Sequence, residues 1–132
     1  MHVPCGTSIS EIDLVLVHKT GLYVFECKNY RGKIYGSDND EYWVSKTRNG
    51  AFSFYNPIKQ NEGHIRALKS HLDIPMYNIV VFSNTSILNV HCNHLVTQIN
   101  KIDKDIQKII QDSTTTINVD STYNTLLPFS KD

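Results

Sequence analysis

The sequence predicts an α/β domain built on a mixed β-sheet, a central hairpin flanked by helices. Three observations carry that reading. Two adjacent β-rich runs are joined by a short turn, a helix-start signal stands at Asn56-Pro57, and a short apolar strand follows that helix.

Ile12-Asp13-Leu14-Val15-Leu16-Val17 and Leu22-Tyr23-Val24-Phe25-Glu26-Cys27-Lys28 are the two runs. His18-Lys19-Thr20-Gly21 between them is a turn ending in glycine, so an antiparallel hairpin follows. Both runs are apolar on both faces, as expected of strands covered on two sides. Residues 32–35, 42–44 and 51–55 read as further short strands, with turns at 36–41 and at Asn49-Gly50. Asn56 is a good helix N-cap and Pro57 suits the first helical position. Ile58, Ile65, Leu68 and Leu72 then mark an apolar stripe, and Pro75 lies past its end. Residues 78–83 form the buried strand, 87–90 one more, and 102–111 a short helix. Residues 113–125, rich in Thr, Ser and Asn, give weak strand or loop signals. No repeat or boundary divides the chain, so the expectation is one domain over 1–132.

Composition narrows the function classes. At 40% hydrophobic and 20% charged, the chain is ordinary globular protein. It carries no apolar run long enough for a membrane span and no signal-peptide layout at its start, so the expectation is a soluble, cytoplasmic protein without a membrane partner. Cys5, Cys27 and Cys92 are odd in number and widely spaced, which argues for reduced thiols. A formal net charge of zero weighs against nucleic-acid binding. The distribution weighs the other way: residues 18–71 hold nine Lys/Arg against five acids.

The hairpin also assembles chemistry. If Val17 pairs with Leu22, Asp13 falls opposite Glu26, and alternation puts Glu26 and Lys28 on the same face. Two carboxylates in cross-strand contact repel, and burying them unpaired is costly. A divalent cation relieves both penalties; hard oxygen ligands select Mg²⁺ or Mn²⁺. Such an ion polarises a phosphoryl oxygen and activates water, and Lys28 beside it could stabilise charge on phosphate. A plain structural ion pair is the competing reading, and a one-residue slip in register would separate the groups.

The wider context is more specific. Glu11-Ile12-Asp13, the run from Gly21 through Glu26-Cys27-Lys28-Asn29-Tyr30, Gly32-Lys33-Ile34-Tyr35-Gly36, Tyr42-Trp43 and Asn56-Pro57-Ile58-Lys59-Gln60-Asn61 together resemble the nuclease-related domain (NERD). That domain is assigned to the PD-(D/E)XK nuclease superfamily, and the resemblance covers about residues 10–82. It implies a restriction-endonuclease-like core and a metal-dependent nuclease acting on DNA, with RNA the other candidate polymer. By position, it makes Asp13 and Glu26 metal ligands, adds the backbone carbonyl of Cys27, and makes Lys28 the catalytic lysine. Gln60 matches the family's glutamine on the following helix; by its place off the Ile58/Ile65 stripe it could face the site or solvent.

The chain departs from the superfamily in one respect. The core usually begins with a helix that often gives the metal another carboxylate, and Pro4 and Gly6 interrupt the few residues before the first strand. Either the chain is an N-terminally shortened domain, or another element or a second copy of the chain covers that sheet face. Glu11, on the same strand face as Asp13, is a further candidate ligand. The departure also supports a rival reading, a catalytically inactive nucleic-acid-binding or assembly module.

Other clusters have bland explanations. His91-Cys92-Asn93-His94 lacks the Cys-x-x-Cys partner of a structural zinc site, so a polar turn is favoured. His64 and His71 fall on one helix side, where a solvated face is favoured over phosphate contact. Tyr30, Tyr35, Tyr42 and Trp43 could stack on bases or pack the sheet.

Overall fold

The structure, a computed structural model, describes residues 1–130. A two-stranded antiparallel ribbon opens the chain, β1 (His2–Cys5) and β2 (Ser8–Glu11). The predicted hairpin follows as β3 (Leu14–His18) and β4 (Gly21–Lys28), with Val17 opposite Leu22 and Leu14 opposite Phe25. This is the register inferred from the turn. Three more strands, β5 (Gly32–Ser37), β6 (Tyr42–Thr47) and β7 (Gly50–Tyr55), lead into α1 (Pro57–Lys69). Then come β8 (Met76–Phe82), β9 (Ser86–His91), β10 (Leu95–Gln98), α2 (Ile102–Asp112), α3 (Val119–Leu126) and a 3-10 turn at Leu127–Ser130.

The first large sheet has the order β10-β8-β4-β3, with β4 parallel to β8 and antiparallel to β3. Alternation gives β4 two buried faces. Leu22 and Val24 pack toward Ala67 and Leu68 of α1, whereas Tyr23 and Phe25 pack with Ile106 of α2. By the same alternation Glu26 and Lys28 lie on the α1 side. The fold is therefore mixed α/β, with a central hairpin flanked by helices, consistent with a restriction-endonuclease-like core.

The second sheet has the order β7-β6-β5-β9. Its inner residues Ile34, Trp43 and Phe54 pack against Val80 and Phe82 of β8 and Ile58 of α1. Gly36 is required here, because a Cβ would fall inside the Trp43 indole. Asn56 joins this sheet to α1. Fully buried, it accepts from the Ile58 and Lys59 amides and donates to the carbonyls of Ser37, Asp38 and Asp40.

Several elements were not legible. Residues 113–125 contain a helix, α3, where the composition suggested strand or loop. Asn118 caps it by accepting from the Ser121 amide at 2.9 Å, and Leu126 anchors it in the core, which together offset poor intrinsic propensity. The ribbon β1–β2 and strand β10 were also unforeseen; each is four residues long. The ribbon and α3 both reach the core on the α1 side of the first sheet. Val3, Ile12 and Leu126 join Leu22, Val24, Ala67 and Leu68 in one cluster. Among the described residues no helix is long and apolar enough to cross a membrane.

Candidate active site

Asp13 sits in the bend between β2 and β3, just before the hairpin pairing begins. Its Oδ2 accepts a hydrogen bond from the Cys27 amide at 3.0 Å, which closes the open end of the β3–β4 ladder. That bond draws the carboxylate to Glu26, the next residue of β4. Glu26 is 3% exposed, and its Oε2 is buried with no hydrogen-bond partner among the described residues.

The electrostatics follow from this placement. Burial pushes the Glu26 carboxyl up to about 8, a hydrogen bond to Asp13 and the Asp13 charge push the same way, and Lys28 opposes them. Near neutral pH, Glu26 therefore holds a proton and shares a hydrogen bond with the exposed Asp13 carboxylate. Lys28, half-buried at the end of β4, supplies the opposing charge on Glu26.

Helix α1 contributes a residue that the sequence reading placed at a solvated face. His64 is buried, at 7% exposure. Burial lowers its pKa, Asp13 raises it and Lys28 lowers it, so the imidazole lies within the field of both. Asn61 determines its tautomer. The Asn61 amide nitrogen donates to the Val24 carbonyl and to Asn78 Oδ1, both at 2.8 Å, so its oxygen accepts from His64 Nδ1 at 3.1 Å. Nε2 of the neutral ring then carries the lone pair. The signal was present in the sequence, since Asn61 and His64 fill the gap in the Ile58–Ile65–Leu68 stripe.

Gln60 is half-buried in the first turns of α1, four residues before His64 and so one turn below it on the same side of the helix. No hydrogen bond links its side chain to Asp13, Glu26 or Lys28 among the described residues. Glu11 does not share a strand face with Asp13, because the chain leaves its strand at Ile12. Its carboxylate instead lies 4.0 Å from His2 Nε2 across the β1–β2 ribbon. In the His91–His94 turn, the Cys92 thiol donates to the His94 carbonyl, and His94 faces Asp38 at 3.1 Å and Glu62 at 3.6 Å. Trp43 and Tyr30 are core packing against Phe54 and Phe82, whereas Tyr35 and Tyr42 are exposed.

Among the described residues, no group of three or more His, Cys, Asp or Glu side chains comes together to hold a metal. The oxygen pair of Asp13 and Glu26 still fits a hard cation. Mg²⁺ commonly takes one or two carboxylates and keeps its waters, and the orphaned Glu26 Oε2 is a buried acceptor in need of positive charge.

The family model described as a nuclease-related domain matches residues 1–83, a span that contains Asp13, Glu26, Lys28, Asn61 and His64. An uncharacterized protein of Bacillus anthracis is 32% identical over 124 residues, covering 89% of this chain. The chain spans 58% of that relative's length. No solved structure matches the chain significantly.

Proposed function

The chain belongs to the nuclease-related domain family, and on that premise we propose that it hydrolyses phosphodiester bonds of DNA, or of RNA, with Mg²⁺ or Mn²⁺. The observation that carries the proposal is Glu26: a buried carboxyl pushed to about 8, touching a second carboxylate, with one oxygen unpartnered. A structural ion pair would bring Glu26 and Lys28 together without also packing Asp13 against Glu26. Such an arrangement is costly unless something else uses it.

Asp13, Glu26 and the Cys27 carbonyl would hold the cation, which when bound polarises a phosphoryl oxygen and lowers the pKa of a water. Cation binding needs Glu26 ionised, so its proton leaves to solvent past the exposed Asp13. Lys28 holds its ammonium beside the carboxylates, where it can neutralise charge developing on a phosphate oxygen. His64, neutral and locked by Asn61, keeps the α1 side of the site uncharged. Gln60 is a positioning candidate on the same helix.

The test is cleavage of labelled single- and double-stranded DNA and RNA by the chain with Mn²⁺, against Asp13→Asn and Lys28→Ala. Cleavage should be lost in both variants while their melting curves stay cooperative. A wild-type chain that cuts none of the four substrates would overturn the proposal. It would favour the second reading, an inactive binding module, for which it speaks that no three His, Cys, Asp or Glu side chains among the described residues are placed to share a metal.

A further inference from the structure

The outer face of the second sheet has its own chemistry, separate from the acid–lysine site. Ile34 and Trp43 point inward, so alternation turns Lys33, Tyr35, Tyr42 and Lys46 outward. Lys33 lies directly opposite Lys46, and Arg31, just before β5, and Arg48, in the β6–β7 turn, line the same groove. All four cations are exposed and line one open groove of about 720 Å³, whose wall includes no Asp or Glu. Like charges directly opposite on a sheet are destabilising, so the Lys33–Lys46 pair with two arginines beside it costs the fold something. A solvated surface of mixed sign would avoid that cost.

The groove also carries apolar surface. Tyr35 is 37% exposed and Ile87, on the neighbouring β9 opposite Lys33, is 58% exposed. Lys46 Nζ stands 5.5 Å from the Tyr35 ring centroid. Farther along the same face Tyr42 and Tyr55, both exposed, meet edge to face across β6 and β7. Successive outward residues on a strand are about 6.6 Å apart, comparable with the phosphate repeat of an extended polynucleotide. A duplex backbone would use the cations and leave Tyr35 and Ile87 idle, whereas an unpaired strand uses both, phosphates on the cations and bases on the apolar surface.

We propose that the outer face of β5, β6 and β9 binds single-stranded nucleic acid, with Arg31, Lys33, Lys46 and Arg48 on the phosphates and Tyr35 stacked on a base. The site does not depend on the hydrolytic reading. Arg31 follows Lys28 by only three residues, so the two lie within about 11 Å along the chain.

The test is fluorescence anisotropy of labelled oligo(dT), about 20 nucleotides long, in EDTA, so that cleavage plays no part. Binding should weaken between about 50 and 200 mM salt with a log–log slope near −3, the value for about four phosphates on a single strand. Tyr35→Ala should weaken binding by about 5- to 100-fold at unchanged slope, and Tyr35→Phe should not. The Lys33→Gln/Lys46→Gln pair should lower the slope by about 1.4 and melt no lower than wild type, since it removes a repulsion. Lys28→Ala should bind as wild type. Several results would overturn the proposal: no binding at low salt, no effect of Tyr35→Ala, tighter binding of a duplex of equal length, or equal competition by polyglutamate or phosphatidylserine vesicles. Binding without any cleavage would leave it standing and count only against the hydrolytic reading.

Discussion

The end of β4 and the outer face of β5 and β6 lie close along the chain and solve opposite electrostatic problems. At the end of β4, two carboxylates are drawn together and one is buried, so the pocket lacks positive charge. On β5 and β6, four cations are drawn together and left in water, so the surface lacks negative charge. The acidic site responds through protonation, because the buried Glu26 carboxyl can shed its charge. The open face cannot respond in that way, because Lys and Arg stay charged at neutral pH and are only screened. The contrast explains how a chain of zero formal charge can hold two strongly polarised regions, one suited to a cation and the other to a polyanion.

The largest effect expected separates the two by function. Lys28→Ala should reduce metal-dependent cleavage by about 10²–10³-fold, the usual loss when one charge-stabilising group is removed. It should leave oligo(dT) anisotropy in EDTA unchanged. If both readouts fall together, the two regions form one binding site and the contrast drawn here is wrong.

Next comes the scaffold under the acidic pocket. Asn61 ties α1 to the Val24 carbonyl, Asn78 and His64, all on the face that carries Glu26. Asn61→Ala should cost about 2–3 kcal/mol, since several buried polar groups lose a partner at about 1–3 kcal/mol each. Thermal unfolding checks this. A loss below about 0.5 kcal/mol, the scale of ordinary surface changes, would mean that the network does not hold the pocket in place.

A pH series separates the two regions by titration. Because the folded Glu26 carboxyl is raised from 4.5 to about 8, the unfolded chain gives up this proton first. Its contribution to stability is whole below pH 4.5 and is lost as pH rises to about 8. Without metal, Glu26→Gln should therefore gain on wild type across that window, by about 2 kcal/mol or more at its upper end, at 1.36 kcal/mol per pKa unit. Mn²⁺ should raise the wild-type melting temperature more at pH 8 than at pH 6 and should leave Glu26→Gln unmoved. The Lys33→Gln/Lys46→Gln pair should show no such pH dependence relative to wild type.

How much of this was legible follows from where the information sits. The hairpin and its register could be read because turn length and alternation are local, and they placed Asp13 against Glu26. Asn56 was legible as a cap for the same reason. The burial of His64 was not, since it depends on α1 lying across β4, a contact between residues far apart in sequence; only the gap in the apolar stripe hinted at it. The helix α3 was missed because its residues favour other conformations, and packing of Leu126 with Val3 and Ile12 overrides them. Glu11 was misplaced because a bend at Ile12 and Asp13 ends the strand that its pattern seemed to continue. The basic face was visible only as a local charge excess, because no local rule pairs Lys33 with Lys46 across the β5–β6 turn or brings Arg31 and Arg48 to the same groove.

The smallest effect belongs to a cluster outside both regions and so acts as a control on each. Asp38 accepts from the Asn93 amide and from His94, and those bonds hold its carboxyl below the usual range, although it stays partly open to solvent. A depressed carboxylate contributes stability above its unfolded pKa and loses it as pH falls. Solvent screening at an exposed site keeps such contributions small. His94→Gln should therefore lower the melting temperature only slightly, and the difference should vanish as pH falls and Asp38 takes up its proton. Cleavage with Mn²⁺ and binding of oligo(dT) should both stay at wild-type levels. A loss of cleavage alone would draw Glu62, which His94 also faces, toward the acidic pocket through α1. A loss of binding alone would extend the basic face around the β5–β6 turn, where Asp38 lies, and either result would redraw the border between the two regions.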